Sequence, residues 1–448
     1  MKGTRGIGAA SLALSVMVAV AVVGTPGTGM AAGRTSTVQN LAPGVTLTRI
    51  TDPVGPEHVY VLTINPAKPS TIDIGTPGAD IGSYAKPSQI GAARGALAAI
   101  NGDFSVNPGR PLHTLATDGT IVQTGLQDGA SFALSQDKTQ AFIDNRNVQV
   151  TGRRLPASHS FAIADTNGPM PSGGGIGAYT SYGGWAVRPP SNACSVRLKT
   201  PGKFHWAPSQ MGVVRDWVVS RSTCGSKAMT LTSGTMVLSS HLTGAGSTTL
   251  RRMKPGDPVR LKWSFGWAGV MDSVGGMPVL VSNGKALPAA GCNDYFCSRN
   301  PRTGIGITAD GQILMVVVDG RRNDSVGMTL IEFARYMISL GAVTAINLDG
   351  GGGSAMWISG QGVVNHPSDS SGERPVTNAV LVLPGADPGE ATPLPYSETP
   401  SVGRVAGFGH GRLGARVSAV QGRSAMAAAS NDPGSTGGLL DALTGGGL

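Results

Sequence analysis

The amino-acid sequence predicts a mixed fold of the α+β or α/β class. It has a β-rich N-terminal part over residues 40–265 and a core over residues 266–385 that contains a β-α-β unit. Two features carry this prediction. Glycine makes up 67 of the 448 residues while aromatic residues make up 5%, which is typical of a turn-rich β protein. Within residues 311–357, a strand pattern, a helix pattern and a second strand pattern follow one another.

The N-terminal part consists of short β-branched or alternating runs separated by Gly, Pro and Asn. Such runs predict strands of an antiparallel or mixed sheet. They cover residues 59–64, 96–100, 120–123, 131–134, 141–143, 217–220 and 259–263. The dipeptides Asp118-Gly119 and Asn283-Gly284 lie between apolar runs, where they predict tight hairpin turns.

The β-α-β unit begins with Ile313–Val318, an uninterrupted apolar run expected of a strand that is covered on both faces. Thr329 and Glu332 form a capping-box pattern that predicts the start of a helix, and Gly341 predicts its end. A second strand is expected over residues 342–348. Because a crossover helix joins strands that run parallel, both strands should end at the same edge of the sheet.

The two ends of the chain differ in composition from its middle. Residues 1–32 begin with Lys2 and Arg5, continue with an apolar stretch and end in small residues, a pattern that predicts a secretory signal peptide. Residues 386–448 are rich in Pro, Gly, Ala and Ser, which predicts a disordered, flexible tail. We therefore expect a secreted or cell-envelope protein with no stable membrane span after signal cleavage.

The net charge of +9 arises from 35 Lys and Arg residues against 26 Asp and Glu residues. Like charges form no block along the chain, so a nucleic-acid partner is not expected. A dispersed positive excess suits an anionic envelope polymer or a phosphate-bearing substrate, and it is equally consistent with plain solubility.

Four cysteines in an exported chain predict two disulfides, for which three connectivities are possible. Proximity in the sequence favours pairing Cys194 with Cys224 and Cys292 with Cys297. Zinc binding is the alternative, but Cys292 and Cys297 are separated by four residues rather than the two of a typical zinc-binding pair.

Polar residues cluster at the ends of the two strands of the β-α-β unit. Asp319 and Asp349 both follow a strand, at the edge where sheets of this kind place their ligands. Asn347 shares a face with Asp349, because strand side chains alternate with period two. The glycines 350–353 allow a ligand to approach the backbone and offer N–H groups for an anion, and Ser354 adds a hydroxyl. This segment is the predicted centre of the site.

Seven short motifs occur in order between residues 99 and 376. They are Ala99-Ile100-Asn101-Gly102-Asp103-Phe104, Val274-Gly275-Gly276-Met277-Pro278-Val279-Leu280-Val281, Pro301-Arg302-Thr303-Gly304-Ile305-Gly306, Val318-Asp319-Gly320-Arg321, the segment 347–356, Asn365-His366-Pro367-Ser368-Asp369, and Glu373-Arg374-Pro375-Val376. Together they resemble the phosphodiester glycosidase family. Its best-known members remove a covering N-acetylglucosamine from a phosphodiester on glycans of lysosomal enzymes.

The resemblance implies that residues 266–385 form the catalytic core of a hydrolase that cleaves a sugar from a sugar-1-phosphodiester. This reaction develops positive charge on the sugar and negative charge on the leaving phosphate. Asp319 and Asp349 are candidates to stabilise the positive charge on the sugar, to activate a water molecule or to attack the sugar directly. Arg302 and Arg374 are candidates to clamp the phosphate. The predicted substrate-binding residues are Asn101, Thr303, Asn347, Gly350, Gly351, Gly352, Ser354, Ser368 and Asp369.

The expected substrate is an N-acetylglucosamine-like sugar phosphate on an anionic cell-envelope glycan, and no cofactor or metal is expected. Two alternatives remain. The first is a metal-dependent phosphodiesterase in which Asp319, Asp349 and Asp369 bind Mg²⁺ or Ca²⁺. The second is a non-catalytic protein that keeps the fold and binds an envelope polysaccharide.

Overall fold

A computed structural model describes residues 19–21, 33–78, 81–106, 109–156, 159–184, 186–201, 207–209, 212–232, 234–267, 269–287, 294–385 and 405–406. Strands hold 47% of these residues and helices hold 11%, which confirms the predicted β-rich character. The predicted signal peptide lies outside the described residues except for 19–21, and the predicted tail except for 405–406.

The first third of the chain forms short strands joined by tight turns. They are β1 (Ala19–Ala21), β2 (Thr35–Ala42), β3 (Val45–Asp52), β4 (Glu57–Ile64), β5 (Ser70–Gly75), β6 (Ala98–Asn101), β7 (Ser105–Val106), β8 (Arg110–Pro111), β9 (Leu115–Thr117), β10 (Thr120–Gln123), β11 (Ala130–Ser135) and β12 (Ala141–Asp144). The predicted hairpin at Asp118-Gly119 joins β9 to β10. Both turn residues have positive φ, as a tight hairpin requires.

The middle of the chain is also built from strands. They are β13 (Gln149–Arg154), β14 (Ser160–Ile163), β15 (Asp165–Thr166), β16 (Gly177–Tyr179), β17 (Ala186–Val187), β18 (Ala193–Lys199), β19 (Ala207–Ser209), β20 (Gly212–Cys224), β21 (Met229–Thr230), β22 (Thr235–His241) and β23 (Pro258–Ser264). Most of them pair among themselves in a sheet of order β14-β13-β23-β20-β18-β22-β16-β15, with β19 beside β20. The strands of this sheet therefore all come from one stretch of the chain, residues 149–264.

The last part of the chain supplies the strands that lead to the predicted site. They are β24 (Val270–Gly276), β25 (Val279–Ser282), β26 (Lys285–Ala286), β27 (Arg302–Thr308), β28 (Ile313–Val318), β29 (Ala342–Asn347), β30 (Met356–Ile358), β31 (Gly362–Val363), β32 (Ala379–Pro384) and β33 (Val405–Ala406). The α-helices are α1 (Pro87–Ala93), α2 (Ala245–Arg251), α3 (Asp294–Cys297) and α4 (Leu330–Ser339), and short 3-10 turns occur at Ser172–Gly174, Ser181–Gly183 and Gly351–Gly353.

Three sheets of five or more strands combine strands that are distant in sequence. One has the order β1-β2-β3-β4-β28-β27-β29-β25-β26, a second β10-β9-β24-β11-β12 and a third β31-β30-β6-β32-β5. The pairing of β4 with β28 and of β6 with β30 joins the predicted N-terminal part to the predicted core.

The β-α-β unit is present but differs from the prediction in one respect. Strands β28 and β29 run in the same direction, as predicted, because each pairs antiparallel with β27. They are not neighbours, however, since β27 lies between them. The reason is local: β27 and β28 form a hairpin through residues 309–312, and this short connection places β27 beside β28 before the α4 crossover is made.

Helix α4 begins and ends where the sequence predicts. The Thr329 hydroxyl accepts from the Glu332 N–H at 3.3 Å, and the Glu332 carboxylate accepts from the Thr329 N–H at 2.9 Å. Gly341 follows the helix with a φ of +98°. The buried face of α4 carries Leu330, Phe333, Ala334 and Met337 and packs against β25 and β29. This packing fixes the end of β29, from which the predicted site begins.

One of the two predicted disulfides is confirmed. Cys194 and Cys224 are bonded across the adjacent strands β18 and β20. Cys297 is also disulfide-bonded, while its predicted partner Cys292 lies outside the described residues. None of the helices in the described part of the chain combines the length and the apolar composition that crossing a membrane requires.

Candidate active site

Asp349 follows β29 directly and is held through its backbone. Its N–H donates to the Gly102 carbonyl at 3.1 Å, and its carbonyl accepts from the Asn101 side-chain amide at 2.7 Å. The Asn101 side-chain oxygen accepts in turn from the Thr303 hydroxyl at 2.8 Å and from the Ala355 N–H at 3.1 Å. Asn101 and Thr303, both predicted to bind substrate, are fully buried and join β6 and β27 to the glycine segment.

The Asp349 side chain is buried among charged groups. Burial raises the pKa of its carboxyl from 3.8 to about 7; the positive charge of Arg374 opposes this rise, and the negative charges of Asp103 and Asp369 add to it. A carboxyl group with a pKa near 7 gains and loses its proton close to neutral pH. Such groups are frequent at catalytic sites.

The glycine segment 350–353 is the surface on which these side chains lie. A Cβ at Gly353 would come within 2.7 Å of the Asp349 Oδ2 atom, and a Cβ at Gly352 would overlap with Asp369 and Arg374. Gly351 also adopts a φ of +58°, which favours glycine. The glycines are therefore required because polar side chains pack directly against the backbone.

Most N–H groups of this segment are already engaged. Those of Gly351, Gly353 and Ser354 donate to backbone carbonyls at 2.9–3.2 Å, and that of Gly350 hydrogen-bonds to the Asp349 side chain. The prediction that the glycine N–H groups together form an anion cradle is therefore not met by this geometry, because backbone carbonyls, including that of Pro301, and the Asp349 side chain already accept from them. Anion binding at this place falls to a side chain.

Arg374 is the positively charged side chain that lies against the glycine segment and could bind an anion there. Its guanidinium donates to both oxygens of Asp369, at 2.7 and 3.0 Å, and its position against Gly352 places it beside Asp349. Its side chain is 18% exposed. Asp369, predicted to contact substrate, thus orients Arg374 in this structure.

Three predicted substrate-binding residues carry buried polar atoms that lack a partner. The Asn347 Oδ1, Ser354 Oγ and Ser368 Oγ atoms are buried and accept or donate no hydrogen bond within the described residues. The Asn347 side-chain nitrogen, by contrast, donates to the Met277 carbonyl at 2.7 Å. Because most buried polar atoms in proteins are hydrogen-bonded, these three are candidates to bond a polar ligand.

Asp319, at the end of β28, has a different environment. Its Oδ1 atom accepts from the Asn365 side chain at 3.0 Å and from the His366 N–H at 2.9 Å, and its Oδ2 atom lies 3.3 Å from the His366 Nδ1 atom. Burial raises the pKa of Asp319, and these hydrogen bonds oppose the rise. Since β27 separates β28 from β29, the two strand ends are about 10 Å apart, at about 4.8 Å per strand. The two carboxylates therefore have different immediate partners.

Arg302 is engaged by backbone carbonyls. Its guanidinium donates to the backbone carbonyls of Met328, Phe296 and Ser298 at 2.8, 2.9 and 2.5 Å. Burial lowers its pKa to about 9. In this structure Arg302 therefore anchors the segment that carries α3, through three backbone carbonyls.

Asp103 and His113 were given no role by sequence reasoning. Asp103 accepts from the His113 N–H at 2.7 Å and lies 2.6 Å from its Nδ1 atom, and both residues are 2% exposed. The Asn378 side chain accepts from the Asp103 N–H at 2.8 Å. Asp103 stands in the first of the seven motifs, which was the available signal, but nothing in the local pattern pointed to His113, ten residues later.

The acidic residues proposed as metal ligands are not gathered together. Within the described residues, the group of side chains close enough to share a metal ion is Asp73, Asp118 and Asp272. The Lys138 ammonium pairs with Asp272 and lies 3.9 Å from Asp73. This acidic group is therefore already paired with a side-chain cation.

Comparison with known proteins agrees with the motifs. Residues 209–383 match the family model of phosphodiester glycosidases. The chain is 34% identical over 84 residues to the SPbeta prophage-derived uncharacterized protein YomE of Bacillus subtilis strain 168. The matched segment covers 19% of this chain and 13% of that protein. It is 37% identical over 68 residues to the N-acetylglucosamine-1-phosphodiester alpha-N-acetylglucosaminidase of Bos taurus, which covers 15% of this chain and 12% of that enzyme.

A solved structure shares the fold over most of the chain. A protein of Burkholderia pseudomallei K96243, named as an exported protein, superposes with a TM-score of 0.58 at 20% identity, covering 81% of this chain and 99% of that one. The two curated relatives, in contrast, are matched over little more than a tenth of their lengths. The resemblance to the phosphodiester glycosidase family, predicted from the ordered motifs, is confirmed for residues 209–383.

Proposed function

We propose that this protein is an exported hydrolase that cleaves a sugar from a sugar-1-phosphodiester, with Asp349 at the sugar and Arg374 at the phosphate. One observation carries the proposal: a buried carboxyl and an oriented guanidinium lie together on a glycine backbone. The reaction develops charge of both signs at neighbouring atoms, and this pair of side chains offers both complementary charges.

Arg374 supports the phosphate half of the proposal. A guanidinium fork suits the oxygens of a phosphate as it suits those of a carboxylate, and here Asp369 holds the fork in place. A phosphate monoester is a good leaving group, with a second pKa of about 6, so its departure does not require a strong acid. The main demand on the protein is to stabilise the negative charge that develops there.

The unpartnered atoms of Asn347, Ser354 and Ser368 support the sugar half. Sugar hydroxyls and acetamido groups both donate and accept hydrogen bonds, and a site with buried unpaired polar atoms selects for ligands that supply them. Asp349, in its charged form, stabilises positive charge at the sugar C1 atom. We expect an N-acetylglucosamine-like sugar, and a cell-envelope glycophosphate as the natural source of the phosphodiester.

The experiment is to measure free sugar released from synthetic sugar-1-phosphodiesters, N-acetylglucosamine first, by wild-type protein and by Asp349→Asn. Asp324→Asn is the matched control, since Asp324 is 54% exposed and follows the other strand end. We expect wild type and the control to turn over equally, with and without chelator. Asp349→Asn should lose about 10³-fold in kcat/KM, the range typical for a group that stabilises transition-state charge.

Two other outcomes would replace the proposal. Turnover that disappears in chelator would identify a metal-dependent phosphodiesterase. Binding of anionic glycans without turnover across a panel of sugars and anomers would identify a polysaccharide-binding protein that keeps the fold.

A further inference from the structure

His366 and Asp319 form an arrangement that the proposed roles leave unexplained. The Asp319 side chain is fully buried, while the His366 side chain is 58% exposed. Asp319 contacts His366 twice, through the backbone N–H at 2.9 Å and the ring Nδ1 atom at 3.3 Å. A buried carboxylate thus fixes the orientation of an exposed imidazole.

This contact decides which ring nitrogen is available. When Nδ1–H donates to the carboxylate of Asp319, the Nε2 atom carries the free lone pair and can accept a proton. Asp319 is itself held by Asn365 and by a hydrogen bond with Tyr60. The ring therefore cannot turn without breaking a hydrogen bond to a fixed partner.

The loop that carries His366 is attached to the glycine segment on both sides of it. Before His366, the Asn365 side chain donates to the Ser354 carbonyl at 3.1 Å and accepts from the Met356 N–H at 2.8 Å. After it, Asp369 and Arg374 lie against Gly352. In the sequence, His366 thus lies between Asn365 and Asp369, which both contact the glycine segment.

We propose that His366 is the base that removes a proton from the water attacking the sugar, and that Asp319 is its positioning residue. This inference rests on the proposed function. In the step, the water oxygen bonds to C1 of the sugar, and the bond between C1 and the phosphate oxygen breaks. The electron pair of that bond remains on the phosphate, beside Arg374. The water proton passes to the His366 Nε2 atom and then to solvent.

The two carboxylates are less suited to this task. Asp319 is buried and its oxygens already accept hydrogen bonds, so it does not reach a water molecule that attacks substrate. Asp349, in its charged form, already has the task of stabilising positive charge at the sugar C1 atom, beside Arg374. An oriented, exposed imidazole is the remaining acceptor in the network.

The test is sugar release by His366→Ala with and without added imidazole, beside His366→Gln and Asp319→Asn. His58→Ala is the matched control, because His58 is partly exposed and its ring contacts Thr51 and the exposed Asp324. We expect His366→Ala to lose at least about 10²-fold in kcat, typical of a missing general base. Imidazole should restore part of this loss in His366→Ala, while His58→Ala should keep wild-type activity and not respond to imidazole. Asp319→Asn should lower kcat with little change in KM.

Each remaining outcome is decisive. Full activity in His366→Ala, while wild type turns over, would overturn the assignment and leave the proposed function standing. A loss in His366→Ala that imidazole does not restore, accompanied by a lower melting temperature, would show a structural role instead. If wild type releases no sugar from any substrate, the proposed function and this inference fall together.

Discussion

The ends of β28 and β29 look alike in sequence and differ in structure. Each is a buried apolar strand followed by Asp-Gly, at positions 319–320 and 349–350. At the first, hydrogen-bond donors from a distant loop satisfy the carboxylate of Asp319. At the second, Asp349 lies among Arg374, Asp103 and Asp369, and its carboxyl has a pKa near 7.

The difference shows that the environment of a residue, more than its local pattern, determines its chemistry. A carboxylate whose oxygens are hydrogen-bonded is suited to hold another group in place, as Asp319 holds His366. A carboxyl that is buried among like charges is unstable in its ionised form, and such instability is typical of groups that react or bind. Variants at the two strand ends test this contrast.

Arg374 is expected to show the largest effect. Arg374→Ala removes the charge that stabilises the leaving phosphate, so kcat/KM should fall about 10³-fold, and Arg374→Lys should fall less because it keeps the charge but loses the fork. The control is Arg322→Ala, since Arg322 forms a similar two-point pair with Asp324 but is exposed beside the other strand end. Equal losses in Arg374→Ala and Arg322→Ala would abolish the distinction between the two ends.

Replacing Asp349 and replacing Asp319 should change the melting temperature in opposite directions. The folded-state pKa of Asp349 is raised from 3.8 to about 7, so its contribution to stability is present below about pH 4 and is lost as pH rises through 7. At pH 8 the loss is on the order of 4 kcal/mol at most, at about 1.4 kcal/mol per pKa unit. Asp349→Asn should therefore melt at a higher temperature than wild type at pH 8, and the gain should shrink at pH 5.

Asp319→Asn provides the comparison for that measurement. Replacing Asp319 removes a charged acceptor from several donors, which costs about 1–3 kcal/mol when they are left unsatisfied. Because burial also raises the pKa of Asp319, we expect Asp319→Asn to melt below wild type at pH 5 and the difference to be smaller at pH 8. An Asp319→Asn variant stabilised at pH 5, or an Asp349→Asn variant destabilised at pH 8, would contradict the assigned environments.

Features that depend on neighbours in the sequence could be predicted. The capping box of Thr329 and Glu332, the hairpin turns at Asp118 and Asn283, and the common direction of β28 and β29 are all confirmed. Each of these follows from backbone preferences over a few residues, or from a chirality rule that holds for most crossovers.

Features that depend on distant pairing could not. The hydrogen bond from Asn101 to Asp349 joins residues 248 positions apart, and Arg302 is surrounded by carbonyls that no sequence pattern marks as its partners. The place of β27 between β28 and β29 likewise follows from which strands meet in the folded sheet. Hydrophobic periodicity identifies a strand and its buried face, but it carries no information about the neighbouring strand.

Gly353 tests how closely Asp349 fits its surroundings. A Cβ at this position would come within 2.7 Å of the Asp349 Oδ2 atom, at the end of a side chain that can rotate. Gly353→Ala should therefore displace the carboxylate and lower kcat about tenfold, a change of about 1.4 kcal/mol, with little change in melting temperature. Gly352→Ala should lose more activity, because its Cβ would overlap with both Asp369 and Arg374. Unchanged kcat in Gly353→Ala would show that the position of the Asp349 carboxylate is not critical.

Asp103→Asn should produce the smallest change in activity, and that change should be a shift of the pH profile. Its negative charge adds to the burial that raises the pKa of Asp349, so Asp103→Asn should lower that pKa. If charged Asp349 is the active form, kcat/KM rises with pH through a midpoint near 7, and this midpoint should move down by up to about one unit in Asp103→Asn. Asp324→Asn should leave the midpoint unchanged. If Asp103→Asn lowers kcat/KM at every pH without moving the midpoint, Asp103 has a structural role through His113. Burial and the charge of Asp369 would then account for the raised pKa of Asp349.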